Sequence, residues 1–324
     1  MKGEKRVVWI IGLGGIGIRH FQSLTKSGDA IHFFLTDKNP DLQKDVTEWE
    51  RDFPFHQFTW ISLDSLDIPF EPDLLIVATS SGPRFAILDN LILKGVSPRF
   101  VLLEKFLFTD ENEYKLYGSS SWASRTYVNT PRRLYETYQV VKSRLANTES
   151  PITMNVFGNN WGIGCNSIHF LDVFSFLGDI KEIDGVDDSL AAGWIQSKRL
   201  GYIEFTGLIT LKANNNQISL QDFTSEGPVW VLVALHTPNW YIEVRESERK
   251  VVIRNIKSGE VETFDFKMKY QSELTLSVFE KLMNGQSCNL PSFEHSAYLH
   301  LCLLKMYKNH VLKHGWQALN LPIT

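Results

Sequence analysis

Six residues near the start of the chain limit its fold more than any others. Gly12-Leu13-Gly14-Gly15-Ile16-Gly17 has the spacing G-x-G-x-x-G, which is common by itself and gains meaning from what flanks it. Before it, Val7-Val8-Trp9-Ile10-Ile11 is a continuous apolar run, as a strand covered on both faces requires. After it, Ile18, Phe21 and Leu24 fall on one side of a helix that Gly28 would stop. Such a turn leaves the first amides of the helix pointing at open space, where they bind phosphate oxygens. Gly12 permits the tight turn, Gly14 lets a pyrophosphate approach the backbone, and Gly17 lets helix and strand pack closely. Asp37 lies 20 residues beyond Gly17, at the end of a second apolar stretch from Ala30 to Leu35. A carboxylate there accepts hydrogen bonds from a ribose and repels a 2′-phosphate, which favours NAD; Lys38 beside it would tolerate the phosphate and keeps NADP open. A ligand-free connection, a methyltransferase turn and a merely solvated Asp37 are the blander alternatives. Strand, turn, helix and acid in this order read as a dinucleotide site.

At 324 residues the chain is long enough for two domains of the usual ~150 residues. Thirty-three Lys and Arg against 37 Asp and Glu give a net charge of −4, without the basic excess expected of a protein that wraps nucleic acid. Cys165, Cys288 and Cys302 form no C-x-x-C pair and share no metal-ligand spacing, so no metal is expected, and a sparse, odd count suits a reducing compartment. The start is basic and then apolar, like a signal peptide, but four glycines interrupt the apolar run and no cleavage site follows. No apolar stretch reaches the ~18 residues of a membrane span. The expectation is a soluble, cytoplasmic protein that binds neither nucleic acid nor membrane.

Strands and helices alternate up to about residue 125, the grammar of a parallel α/β sheet. Leu74 to Ala78 and Phe100 to Leu103 are further buried strands, with a helix starting at Ser80, Ser81 and Pro83 between them, and Tyr127-Val128 is a last short one. Beyond Thr130 the pattern changes. A helix from Pro131 to Leu145, a strand over Ile152–Phe157 and a helix over Asn166–Leu177 precede a run of strands from about 180 to 266. Short turns between them imply antiparallel pairing. Two helices, at about 270–284 and 293–314, close the chain. The fold class expected is thus α/β: a Rossmann dinucleotide-binding domain over 1–127, then an α+β domain over 128–324 on an open, mostly antiparallel sheet. Tyr202 to Leu211 and Trp230 to His236 carry large apolar groups on both faces, so the sheet's second face calls for a cover, and a partner subunit is the obvious one.

In a doubly wound sheet, ligands gather outside the carboxyl ends of the strands. Thr79, Ser80, Glu104 and Lys105 lie at two such ends, and with Gly12 to Gly17 and Asp37 they form the candidate cofactor set. Lys105 would stand near the nicotinamide and could trade a proton with a substrate hydroxyl, or it could be one half of a salt bridge. In the second domain the polar loop Gly158 to Gly164 leads into Cys165-Asn166-Ser167-Ile168-His169, with Asp172 one turn further on. His169 suits proton transfer at neutral pH, although a histidine on an apolar helix is more often a core residue. Asn159, Asn160, Trp161, Cys165, Asn166, Arg132 and Arg133 are the candidate substrate contacts. Trp and Asn suit the ring face and hydroxyls of a sugar, and the two arginines could hold an anion attached to it.

Together these residues resemble the Gfo/Idh/MocA family (glucose–fructose oxidoreductase, inositol dehydrogenase, rhizopine catabolism). GLGGIGIRH over 12–20 is similar to that family's first turn, and Thr79 with Pro83-Arg84 to its Thr-Pro-Asn-x-x-His segment. Leu103-Glu104-Lys105 resembles its Glu-Lys-Pro signature, Val128-Asn129-x-x-Arg132-Arg133 its Asn-x-Arg entry to the second domain, and 165–172 its Asp-x-Gly-x-His-x-x-Asp. The resemblance implies a two-domain NAD(P)-dependent dehydrogenase or reductase for a sugar, cyclitol or related polyol. Lys105 and His169 would handle the proton, the substrate would sit between cofactor domain and sheet, and the sheet's outer face would join a homodimer or homotetramer. Three departures stand out: Phe106 replaces the family proline, Arg84 its histidine and Cys165 its aspartate. A thiol cannot orient an imidazolium as a carboxylate does, so a non-catalytic NAD(P)-binding regulator of the same fold is the second reading. A structural protein without cofactor is a third.

Overall fold

Val8, Trp9 and Ile10 have no exposed surface at all, because the strand that contains them runs through the middle of a sheet covered on both sides. The computed structural model describes residues 5–64, 70–146, 151–318 and 320–324. Its first ten regular elements are β1 (Arg6–Ile11), α1 (Gly15–Leu24), β2 (Ile31–Thr36), α2 (Asp45–Asp52), β3 (Gln57–Trp60), β4 (Leu74–Val77), α3 (Ser81–Leu93), β5 (Phe100–Glu104), α4 (Glu111–Gly118) and β6 (Thr126–Asn129). The six strands are all parallel, in the order β3-β2-β1-β4-β5-β6. The order reverses between β1 and β4, and at such a switch point the loops diverge and leave a crevice. Beneath α1 the packing is aromatic, with Phe21 5.4 Å from Phe33 and 5.8 Å from Phe58.

The chain continues through a 3₁₀ turn (Pro131–Leu134) into α5 (Glu136–Leu145), β7 (Thr153–Asn159) and α6 (Ile163–Gly178). The strands that follow are β8 (Gly185–Leu190), β9 (Ile195–Gln196), β10 (Ile203–Glu204), β11 (Gly207–Ala213), β12 (Asn216–Phe223), β13 (Trp230–His236), β14 (Trp240–Arg245), β15 (Lys250–Asn255) and β16 (Val261–Asp265). Seven of them join β7 in one eight-stranded sheet, in the order β16-β15-β14-β13-β7-β12-β11-β8, while β9 and β10 make a separate ribbon. The antiparallel expectation holds except for β7 with β12, which are parallel because a long crossover through α6 separates them in the chain. The single strand expected over Tyr202–Leu211 is two, broken at Phe205-Thr206 where the chain leaves the ribbon for the sheet. On one face Met154, Val156, Ile218, Leu220, Val231 and Val233 are buried. On the other Phe157, Trp230 and Leu232 stay half-buried, and the Phe157 and Trp230 rings meet edge-on at 5.8 Å.

Two helices end the chain, α7 (Gln271–Met283) and α8 (Phe293–Lys313). The molecule divides into two compact units. One comprises Met1–Asn129 with Lys269–Ser296, the other Thr130–Met268 with Ala297–Thr324. The 269–296 stretch, assigned by sequence to the second domain, therefore belongs by its contacts to the first. The reason is α7, which lies along α1: Leu276 N–H donates to Ser23 Oγ at 3.0 Å, and Ser272 C=O accepts from Lys26 Nζ at 2.7 Å. Among the described residues no helix is long and apolar enough to cross a membrane.

Candidate functional site

The glycine turn is built for close approach on one side and openness on the other. A methyl group on Gly17 would lie 1.8 Å from the carbonyl oxygen of Gly12, so only glycine fits there. Gly14 and Gly15 are exposed, and a methyl on either would meet nothing within 4 Å. Helix α1 starts behind them with no side-chain cap and no acid in its first turn. Its leading amides, which have no partner inside the helix, face that open space. Asp37 braces the turn: Oδ2 accepts from Leu13 N–H at 2.6 Å and Oδ1 from Asn39 N–H at 2.8 Å, which leaves lone pairs for a ribose. Thr79, whose backbone packs on Gly12, has a buried Oγ1 with no hydrogen-bond partner among the described residues. An open anion cradle, an acid at the next strand end and an orphaned hydroxyl beside the turn fit a dinucleotide.

Ser80 caps α3 by position, and Lys105 stands half-buried just past β5, joined to Phe106 by a cis peptide. Arg84, the residue in place of the family histidine, is fully buried and donates to the carbonyls of Thr79, Phe106 and Leu107, the last at 2.8 Å. It thus fastens the ends of β4 and β5 to each other. Glu104 turns inward. Its carboxylate accepts from Asn129 Nδ2 and, at 2.9 Å, from His20 Nε2, while His20 Nδ1 lies 2.9 Å from Thr275 Oγ1. Gln271 completes the cluster, with Nε2 2.8 Å from Thr275 Oγ1 and Oε1 accepting from Asn129 at 2.9 Å. Burial would push the Glu104 carboxyl up, but the hydrogen bond and charge of His20, the Asn129 amide and the Arg84 charge outweigh it and hold it below the usual range. Of the expected cofactor residues, then, Glu104 is committed to packing β5 against α1 and α7.

In the second unit the loop before α6 is held by acids that sequence reasoning missed. Asp222 accepts from the amides of Trp161 (3.3 Å), Gly162 (2.8 Å) and Ile163 (3.2 Å), and Glu204 from those of Gly164 and Cys165, both at 2.8 Å. A methyl on Gly164 would sit 3.0 Å from Glu204 Oε2, so glycine lets the carboxylate in. Burial, and to a lesser extent the neighbouring Glu204, raise the Asp222 carboxyl above its usual value despite three amide donors. Asn159 Nδ2 bonds Ser225 Oγ and Pro228 C=O, Asn160 Nδ2 bonds the carbonyls of Ser225 and Gly227, and Trp161 Nε1 bonds Gln221 C=O. These three candidate substrate residues therefore knit loops together. Asn160, Trp161, Cys165 and Asn166 do line one cleft of about 520 Å³ with Glu204 and Asp222.

The two arginines are elsewhere. Arg132 makes a two-pronged pair with Glu246 (3.1 and 3.0 Å) under the Phe170 ring, and Arg133 another with Asp172 at 2.7 Å on both prongs. Their expected role toward a substrate anion is met by the protein's own carboxylates. His169 is buried on α6 one turn after Cys165, and Asp172 serves Arg133. Nothing in the sequence announces Glu204 or Asp222. Their partners lie 39 to 61 residues away, and only the strand pairing brings them together.

No family model and no curated protein matches the sequence. Solved structures do. A Gfo/Idh/MocA family oxidoreductase from Vibrio cholerae is 14% identical over 95% of this chain and 100% of its own, with a TM-score of 0.69. A super-repressor mutant of Gal80p from Saccharomyces cerevisiae is 12% identical over 95% and 96%, with a TM-score of 0.72. Biliverdin reductase from Synechocystis sp., solved with biliverdin and NADP+, is 14% identical over 93% and 98%, with a TM-score of 0.66. A Rossmann-like unit followed by an open mixed sheet is the class these features define. Across nearly its whole length the chain has the fold of the Gfo/Idh/MocA oxidoreductases, as its motifs suggest.

Proposed function

We propose that the protein is an NAD(P)-dependent oxidoreductase acting on a carbinol or ketone carbon of a sugar, cyclitol or sugar derivative. One observation carries the reading: an uncapped, exposed helix start behind a glycine turn, with Asp37 at the end of the next strand. The amides of α1 hold the diphosphate, Asp37 receives the ribose hydroxyls and disfavours a phosphate there, and NAD is the preferred form. The bound nicotinamide supplies hydride transfer. Lys105 and His169 exchange the proton that accompanies it with the substrate oxygen, each a group that can hold or release a proton near that oxygen. Solved proteins of this fold include a dehydrogenase acting on a UDP-sugar and a reductase of biliverdin, which supports the reaction class and leaves the substrate to experiment.

NADH titration followed by fluorescence tests the cofactor, and no change at millimolar NADH would remove it. Lys105→Ala should lower turnover at least about a hundredfold, as loss of a positioned acid/base does, while NAD affinity barely changes. Undiminished turnover would strike out the assignment. The second reading, a regulator that binds NAD(P) without turnover, is favoured by Cys165 where the family has aspartate. Tight NADH binding with no turnover across polyols, restored by Cys165→Asp, would select it.

A further inference from the structure

The amides that open α6, and those just before it, are engaged by carboxylates of the chain itself. The five successive amides from Trp161 to Cys165 point into Asp222 and Glu204. A helix start that would attract phosphate is thereby turned into a site with two buried negative charges, 2% and 7% exposed. Arg132 and Arg133 are paired off in the same way. Along the cleft wall Lys198 is the one cationic side chain among the described residues. Three apolar side chains stand exposed at its rim, Ile195, Phe223 and Val229, at 45, 54 and 47%. Glu204 Oε1 and Asp222 Oδ1 each take a single amide, so each retains a lone pair for a hydroxyl.

We propose that this cleft admits an uncharged, hydroxyl-bearing ligand and turns away phosphate, carboxylate and nucleotide groups, with Glu204 and Asp222 as the residues that set the selection. That the ligand is the substrate rests on the oxidoreductase reading; the charge selection does not. It follows from electrostatics, since a reagent carrying one negative charge ~6 Å from an unscreened carboxylate, at an effective dielectric of ~40, is slowed about tenfold.

Cys165 lies on the cleft wall and reports this field without cofactor or turnover. Its alkylation by neutral iodoacetamide and anionic iodoacetate is followed by peptide mapping, which separates it from Cys288 and Cys302. Relative to the same pair of rates for glutathione, the anionic reagent should be disfavoured at Cys165 by about tenfold or more. Molar salt should close most of that gap, and Glu204→Gln should narrow it; the salt arm stands if the variant does not fold. A ratio equal to that of glutathione overturns the proposal, and so does failure of both reagents to reach Cys165. In a turnover panel with NAD, neutral polyols should react and their phosphates and nucleotide derivatives should not. Turnover of the anionic members alone would overturn the selection and leave the oxidoreductase reading intact, whereas absence of NADH binding would do the reverse.

Discussion

Gly14 and Gly17 stand three residues apart and answer to different demands. At Gly17 the carbonyl of Gly12 occupies the place of a methyl group, and the clash is with backbone that cannot step aside. Gly17→Ala should cost more than the ~1–3 kcal/mol of an ordinary overpacked site, read by urea unfolding. At Gly14 there is room, and its φ of −67° suits alanine. Gly14→Ala should cost only about 1 kcal/mol of stability, the difference between glycine and alanine at an N-cap, and weaken NADH at least tenfold. Equal NADH affinity in that variant would mean that the turn holds no diphosphate. Both positions were legible in the sequence, because the reasons for them are local: neighbours within six residues decide them. Glu204 and Asp222 were not, because an acid on a strand looks the same whether it meets water or five amides of a distant loop.

At the level of elements, the buried cluster of His20, Glu104, Asn129, Gln271 and Thr275 joins α1, β5, β6 and α7. Periodicity correctly finds each of these elements, but it cannot say that the seventh helix docks against the first. The cluster makes that docking sensitive to acid. The Glu104 pKa is lowered on folding from its ordinary 4.5, so its stabilising contribution is complete above that value and disappears as pH falls through the folded pKa. Glu104→Gln should therefore flatten the acid limb of the stability curve below about pH 4.5, measured by urea midpoints. An acid limb of unchanged slope would assign the loss to other carboxylates.

For the whole molecule, the sheet of the second unit leaves Phe157, Trp230 and Leu232 half-buried on adjoining strands, with Leu232 opposite Phe157 in register. We propose that a second copy of the chain covers this face. Light scattering should give a dimer or tetramer, and Trp230→Glu with Leu232→Glu should yield a folded monomer. A monomeric parent protein would dismiss the idea. The sequence showed the two-faced strands but could not say which residues would remain at the surface once α5 and α6 had taken one side.

The return of the chain to its first unit has a consequence for biosynthesis. Gln271 and Thr275 complete a cluster that His20 begins, and all of Thr130–Met268 lies between. At the usual ~5–20 residues per second, a ribosome needs about ten seconds to traverse that insertion. Through that interval the nucleotide-binding half waits unfinished, one flank of α1 bare and a histidine and a carboxylate missing part of their shell. Its folding is thus tied to translation through Ser296, and a message truncated after residue 129 would release a fragment for chaperones and proteases to handle.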